Sequence, residues 1–240
     1  MKTNVSTASE MAVLLLNYGV VKLSPEAPFT WASGLKSPIY CNNRDLLSLA
    51  EDEDRDKIID MLAETSVDAL LSPSEDIDSV VIVGVATGAI PWGAMLAYTL
   101  GVPYGYVISA PKDHGADSNR PTPEEEQARL AKCLIGKFPK NAKVVIVEDL
   151  ISTGGSSLHA EKVVRAAGYD VAGMVALFSY GFEEAHKAFA EVDCDVVTLS
   201  DYDELIAVAL KSGHISEEQF ASLQEWRENH RVWSQARGGK

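Results

Sequence analysis

Between residues 80 and 200 the chain alternates two kinds of segment. Four runs are short, apolar and rich in β-branched residues, at 80–85, 104–108, 144–147 and 171–177, and a fifth at 196–199 resembles them. Amphipathic stretches with helical spacing separate most of them, at 91–100, 156–167 and 183–190. Strands that are apolar throughout have both faces covered, and strands that alternate with helices pair in parallel. The pattern predicts an α/β fold with a doubly wound, mostly parallel sheet and helices on both faces.

The ends of the chain read differently. Met11, Leu14, Leu15 and Tyr18 recur at helical spacing, which predicts a helix over 10–18 stopped by Gly19. A β-like stretch at 20–23 and the turn Ser24-Pro25-Glu26-Ala27-Pro28 follow. Residues 29–44 are dense in Gly, Pro, Ser and aromatic side chains, a composition of loops and short strands. Acidic residues from Glu51 open a long helix to about residue 71, with Ile58, Ile59, Leu62 and Leu70 on its buried stripe. Residues 109–135 form a long connection with no convincing strand, and such loops inside compact domains are usually functional. From about 201 to 231 the pattern predicts two more helices, with Trp226 and Trp233 as packing anchors. The expectation is a single domain over 1–240, in which 201–240 is a C-terminal helical extension.

Composition narrows the function classes. With 35 acidic and 21 basic side chains among 240 residues, the formal net charge is −14. That balance argues against a nucleic-acid partner, which demands a positive footprint. No apolar run approaches the roughly 18 residues that span a bilayer, so no membrane partner is expected. Cys41, Cys133 and Cys194 are widely spaced and form no zinc or disulfide pattern, and the N-terminus lacks the order of a signal peptide. A cytoplasmic location follows as the default.

The chemistry concentrates in one stretch, Val144-Val145-Ile146-Val147-Glu148-Asp149-Leu150-Ile151-Ser152-Thr153-Gly154-Gly155-Ser156. It reads as strand, acidic pair, Gly/Ser/Thr loop and helix. Residues 152–156 offer backbone N–H groups, two glycines without Cβ obstruction and hydroxyl donors, and they open onto a helix N-terminus that favours an anion. Glu148 and Asp149 fall where the strand ends, at the sheet edge where such folds bind ligands. Carboxylates are poor phosphate ligands but good acceptors for a sugar diol. An acidic pair beside a phosphate cradle points to a phosphorylated sugar. The loop is neither a Walker A nor a GxGxxG motif.

This string resembles the phosphoribosyl-diphosphate (PRPP) motif of the type I phosphoribosyltransferases. Phe29-Thr30-Trp31-Ala32-Ser33-Gly34-Leu35-Lys36-Ser37-Pro38-Ile39-Tyr40, with Asn42-Asn43-Arg44, is similar to the N-terminal signature of the orotate phosphoribosyltransferases. Gly84-Val85-Ala86-Thr87-Gly88-Ala89-Ile90-Pro91 is similar to the family's second loop, and Lys112-Asp113-His114-Gly115 to the end of its mobile catalytic loop. The four blocks occur in the family's order.

The resemblance implies a Mg²⁺-dependent, reversible transfer of the 5-phosphoribosyl group from PRPP to orotate, giving orotidine 5′-phosphate and diphosphate in pyrimidine biosynthesis. It implies PRPP binding by Glu148, Asp149, Leu150, Ile151, Ser152, Thr153, Gly154, Gly155 and Ser156, and diphosphate binding by Lys112 and His114. Lys112, His114 and Asp149 are the implied catalytic residues. Ser152 matches a position that also touches orotate, and Lys36 and Arg44 are candidate cations for the orotate carboxylate. Residues 1–45 would supply most of a base-binding hood of helix and short strands. No side chain is expected to bind metal directly, Mg²⁺ being carried by PRPP with Asp149 acting through water. A homodimer whose mobile loop closes over the neighbouring subunit is implied as well.

Three departures from the family stand out. Ile108 and Ala110 occupy positions where members usually carry Arg and often Lys, which turns attention to Arg120 and Lys132. Tyr180 stands near where some members place an orotate-contacting Arg. The histidines outside the mobile loop, His159, His186, His214 and His230, read as packing or surface residues, and Glu124-Glu125-Glu126 as a solvated helix start. Two other readings share the fold: transfer to a different base, or a PRPP-sensing regulator without catalysis.

Overall fold

The structure, a computed structural model, describes residues 5–31, 33–74, 76–109 and 122–239. In chain order the elements are α1 (Val5–Asn17), β1 (Val21–Leu23), β2 (Phe29–Thr30), β3 (Lys36–Ser37), β4 (Ile39–Cys41), α2 (Asn43–Leu49), α3 (Asp52–Leu70), β5 (Val80–Val85), α4 (Ile90–Leu100) and β6 (Tyr104–Val107). There follow α5 (Pro123–Ala131), β7 (Leu134–Ile135), β8 (Lys143–Ile151), α6 (Gly155–Ala166), β9 (Asp170–Ser179), α7 (Glu183–Glu191), β10 (Val196–Asp201), α8 (Tyr202–Lys211), α9 (Glu217–Glu228) and α10 (His230–Gln235). The chain divides into two compact units, residues 56–199 and residues 5–55 with 200–239.

The larger unit is the expected α/β body. Its six strands run in the order β10-β9-β8-β5-β6-β7, with β5 parallel to both β6 and β8, and β8 parallel to β9. Every residue of β5 is buried, as is every residue from Gly173 to Ser179 on β9. A strand reaches that state only when helices cover both faces of its sheet. From β5 the chain proceeds to β6 on one side, then returns to place β8 on the other. The order of crossovers therefore reverses between β5 and β8, and the loops after these two strands flank that switch point.

The 109–135 connection is more structured than its composition suggested. Thr122 Oγ1 accepts the Glu125 N–H while the Glu125 carboxylate accepts the Thr122 N–H, a reciprocal cap that starts α5 with Pro123 in its first turn. Glu124, Glu125 and Glu126 are exposed, the solvated helix start that was expected. β7 then pairs antiparallel with β6, Tyr106 opposite Ile135 and Val107 opposite Leu134. Two residues are too few to register as a strand pattern.

The smaller unit holds α1, the hairpin-like pairs β1–β4 and β2–β3, α2 and the three C-terminal helices, one more than predicted. β1 and β4 are antiparallel with Val21 opposite Cys41, and β2 and β3 with Thr30 opposite Lys36. α1 buries Met11, Ala12 and Leu15 completely, and Ser200 Oγ donates to the Ala8 carbonyl at 2.9 Å. α2 escaped the sequence reading because it is short and starts one residue after strand β4, inside a stretch whose Gly, Pro, Ser and aromatic composition reads as loop. Trp226 sits at the centre, wholly buried, edge-on to Trp31 at 6.0 Å and against Tyr202 at 5.3 Å. Trp233 is buried as well, so both predicted anchors pack inward.

Truncating so large a buried ring leaves a cavity that its neighbours refill only in part. Trp226→Ala should therefore lose about 3–5 kcal/mol of stability, read as a lower denaturant midpoint at unchanged slope.

Candidate active site

The edge of the sheet at the β5–β8 switch point is built from two short loops. After β8, Ser152 and Thr153 lead to Gly154, whose φ of +84° is a left-handed conformation that a glycine adopts without strain. Gly154 is also the N-cap of α6, and no side chain caps that end. The first turn carries no acidic residue, Gly155 and Ser156 are exposed, and a Cβ at Gly155 would meet open space. The first-turn N–H groups of α6 therefore face solvent with their partial positive charge uncompensated by a cap. That is the local geometry of an anion cradle.

The two acids differ in burial while their side chains stay hydrogen-bonded to each other. Glu148 is 3% exposed, and its carboxyl turns into the loop. Oε1 accepts the Asp149 N–H at 3.1 Å, and Oε2 accepts the hydroxyls of Ser157 at 2.9 Å and Ser156 at 3.3 Å. This one group ties the strand end to the first turn of α6. Burial, reinforced by the neighbouring Asp149 charge, pushes its pKa up to about 8. Asp149 is only half-buried and lies over the loop after β5. A Cβ at Gly88 would overlap its carboxylate, with Oδ1 2.8 Å away, so glycine at 88 leaves the space this acid occupies. The Ala86–Thr87 peptide in the same loop is cis, and the Ala86 N–H donates to the Val107 carbonyl at 2.8 Å.

Of the residues singled out in the sequence, Glu148, Asp149, Leu150, Ile151, Ser152, Thr153, Gly154, Gly155 and Ser156 share this edge. Ile151 is fully buried, which leaves its backbone as the part that can serve a ligand. Lys112, His114, Ala110 and Arg120 lie outside the described residues. Ile108 closes β6: its N–H donates to the Cys133 carbonyl at 3.0 Å and its carbonyl accepts His159 Nε2 at 3.3 Å. His159 is thus a packing histidine, as expected. Lys132 is exposed at the C-terminal cap of α5. Tyr180 is 3% exposed, stacked on Phe182 at 5.6 Å and edge-on to Phe178 at the same distance.

Lys36 and Arg44 belong to the smaller unit. Lys36 stands on β3 with Nζ donating to Thr30 Oγ1 at 2.7 Å, and Arg44 is exposed on the first turn of α2. Trp31, from the same N-terminal signature, packs on Trp226.

Two contributors escaped the sequence reading. Gly88 sat in a quoted block without a stated task, and its proximity to Asp149 follows only from the β5–β8 register. Ser157, fully buried beneath Glu148, carried no signal beyond being one serine after another. A groove of about 510 Å³ opens elsewhere, along the flank of α6 against α5, with Leu130, Glu161 and Arg165 among its lining residues.

The family model described as "Phosphoribosyl transferase domain" matches residues 53–212. The chain belongs to the phosphoribosyltransferase family. Among its relatives in that family, orotate phosphoribosyltransferase of Cutibacterium acnes is 43% identical over 234 residues, covering 98% of each chain. The Porphyromonas gingivalis orotate phosphoribosyltransferase is 42% identical over 224 residues, 93% of this chain and 96% of the relative. In three dimensions the chain is similar to orotate phosphoribosyltransferase from Aeropyrum pernix, with TM-score 0.65 and 30% identity, covering 86% of this chain and 99% of that one. Leishmania donovani UMP synthase shares the phosphoribosyltransferase fold at TM-score 0.70 and 22% identity, over 92% of this chain and 42% of that one.

The raised Glu148 pKa has a consequence for stability. A carboxyl that ionises near 4.5 in the unfolded chain and near 8 when folded stabilises the fold below that window, and the contribution disappears as pH rises through it. In chelator-treated protein, Glu148→Gln should flatten the fall of the thermal midpoint between pH 5 and 8, by up to about 1.4 kcal/mol per pH unit. Parallel pH profiles for the two proteins would show Glu148 to be ionised throughout.

Proposed function

We infer that the chain transfers the 5-phosphoribosyl group of PRPP to orotate, giving orotidine 5′-phosphate and diphosphate for pyrimidine biosynthesis. The observation that carries this is the identity above 40% with orotate phosphoribosyltransferases over nearly the entire chain, N-terminal segment included. The uncapped turn after β8 supports it independently.

In this reading the 5-phosphate of PRPP sits on the backbone N–H groups and hydroxyls of Ser152, Thr153, Gly154, Gly155 and Ser156. Asp149 accepts the ribose hydroxyls from its open position, and Glu148, buried beneath it, keeps the cradle in shape. Leu150 and Ile151 contribute backbone at the strand end. Lys112 and His114 meet the diphosphate, while Lys36 and Arg44 offer cations to the orotate carboxylate. As the C1′–O bond breaks, diphosphate departs, a bond from C1′ to a ring nitrogen of orotate forms, and the proton of that nitrogen is released to solvent or to the departing diphosphate. The protein's task is to hold both reactants, stabilise the developing charges and exclude water as the competing nucleophile.

Mg²⁺ fits this donor set. Glu148 and Asp149 bring hard oxygen donors to one point, yet among the described residues no group of three or more His, Cys, Asp or Glu side chains could hold a metal by itself. Mg²⁺ is usually held by one or two carboxylates together with substrate phosphates and retained waters. Asp149 would hold it through water, and when bound the ion offsets the charge on the diphosphate.

A homodimer in which the connection after β6 serves the neighbouring subunit belongs to the same reading. So does a reducing cytoplasm, with which three buried cysteines that form no disulfide agree. Among the described residues no helix is long and apolar enough to cross a membrane.

Protein mixed with orotate, PRPP and Mg²⁺ should consume the ultraviolet absorbance of orotate, and a panel of other bases should not substitute. Absence of turnover under any metal condition would reject the assignment. Asp149→Asn should lower kcat by about 10²–10³-fold without loss of thermal stability, the usual effect of losing one preorganised polar group. Gly88→Ala, which pushes the same carboxylate aside, should lower kcat in the same direction. Full activity in Asp149→Asn would show that the ribose hydroxyls are held elsewhere.

A further inference from the structure

The β2–β3 pair has two residues per strand, far below the length at which a hairpin sustains itself in water. Its support comes from the opposite end of the chain, within the same unit. Ser234 on α10 is fully buried, and its hydroxyl accepts the backbone N–H of Lys36 at 2.8 Å. Gly239 closes over that junction. Its N–H donates to the Ser234 carbonyl at 2.9 Å, and a Cβ there would overlap Ser234 Oγ and stand 2.7 Å from Lys36 Cγ and 2.9 Å from Lys36 N.

α10 is itself fixed. Its buried Trp233 donates from Nε1 to Ser222 Oγ at 3.3 Å, and the Arg237 guanidinium lies 3.7 Å from the centre of the same ring. Lys36 is therefore gripped twice, at its backbone N–H by Ser234 and at Nζ by Thr30 Oγ1.

We propose that Ser234 is a positioning residue for orotate: by fixing the backbone of Lys36 it presets where that ammonium stands. The proposal rests on the reading of Lys36 as a cation for the orotate carboxylate. A lysine side chain has four rotatable bonds, and ordering it at the moment of binding costs affinity. Anchoring its root removes part of that cost beforehand. The effect belongs to orotate binding and not to the donor, which the loop after β8 serves.

Steady-state kinetics on the full chain, varying orotate and PRPP in turn, tests this. Ser234→Ala should raise KM for orotate by about five- to tenfold, the scale of one lost hydrogen bond to a half-buried donor. Its kcat and its KM for PRPP should stay within about twofold of the parent values. Gly239→Ala disturbs the junction from the surface without touching the Trp233 anchor, and should move the same constant in the same direction even if Ser234→Ala folds poorly. In a Lys36→Ala background neither substitution should add a further rise, because both act through one side chain. An unchanged orotate KM in Gly239→Ala and in folded Ser234→Ala overturns the proposal, and so does a loss shared equally by both substrates and kcat. Lys36→Ala with unchanged orotate KM refutes instead the reading of Lys36, and the proposal falls with it.

Discussion

The parallel register of β5 on β8 is the constraint from which the rest of the site follows. It sets Gly84 beside Val147, so both strands deliver their loops to the same edge of the sheet, β8 running on to Ile151 beyond the end of β5 at Val85. The loop after β5 can then offer an uncrowded glycine to Asp149, and the loop after β8 can turn at once into α6. The buried Glu148 carboxyl completes the arrangement by clamping the strand end to the helix start. Burying this carboxyl costs desolvation, and its bonds to two hydroxyls, an N–H and the Asp149 side chain hold the phosphate loop in one shape before any ligand arrives.

The larger unit was largely legible from the chain because its two signals are strong. Strands buried on both faces read as unbroken apolar runs, and 80–85 was bounded correctly to the residue. The interior of β8 and β9 was found, but not their ends. The pairing of β8 with β9 continues through Glu148, Leu150 and Ile151, residues whose polarity or proximity to the loop made them look like turn. Of α5 only the solvated start at Glu124–Glu126 was legible, although Thr122-Pro123-Glu124-Glu125 is a full capping signature, because the acidic and proline-rich surroundings dominated the composition. The phosphate loop was readable since its chemistry is local. Gly88 and Ser157 were not, since their tasks exist only once distant segments meet.

Charge adds a second lesson. A chain of net charge −14 gains nothing from its overall field when its ligands are anions. The described part of the site answers with dipoles in place of cations: an uncapped helix end, serine and threonine hydroxyls, and glycine-exposed amides. Such groups work at contact distance and carry no net charge, so they suit a fold whose surface is acidic for other reasons.

The border formed by β7 has a bearing on self-association. It offers only Leu134 and Ile135, after which Gly136, Lys137 and Pro139 end the ladder. Proline cannot donate, lysine resists desolvation, and so brief a strand gives an incoming chain almost nothing to template upon. Growth of the sheet by accretion at that margin, the first step toward fibrous aggregates, is thereby discouraged.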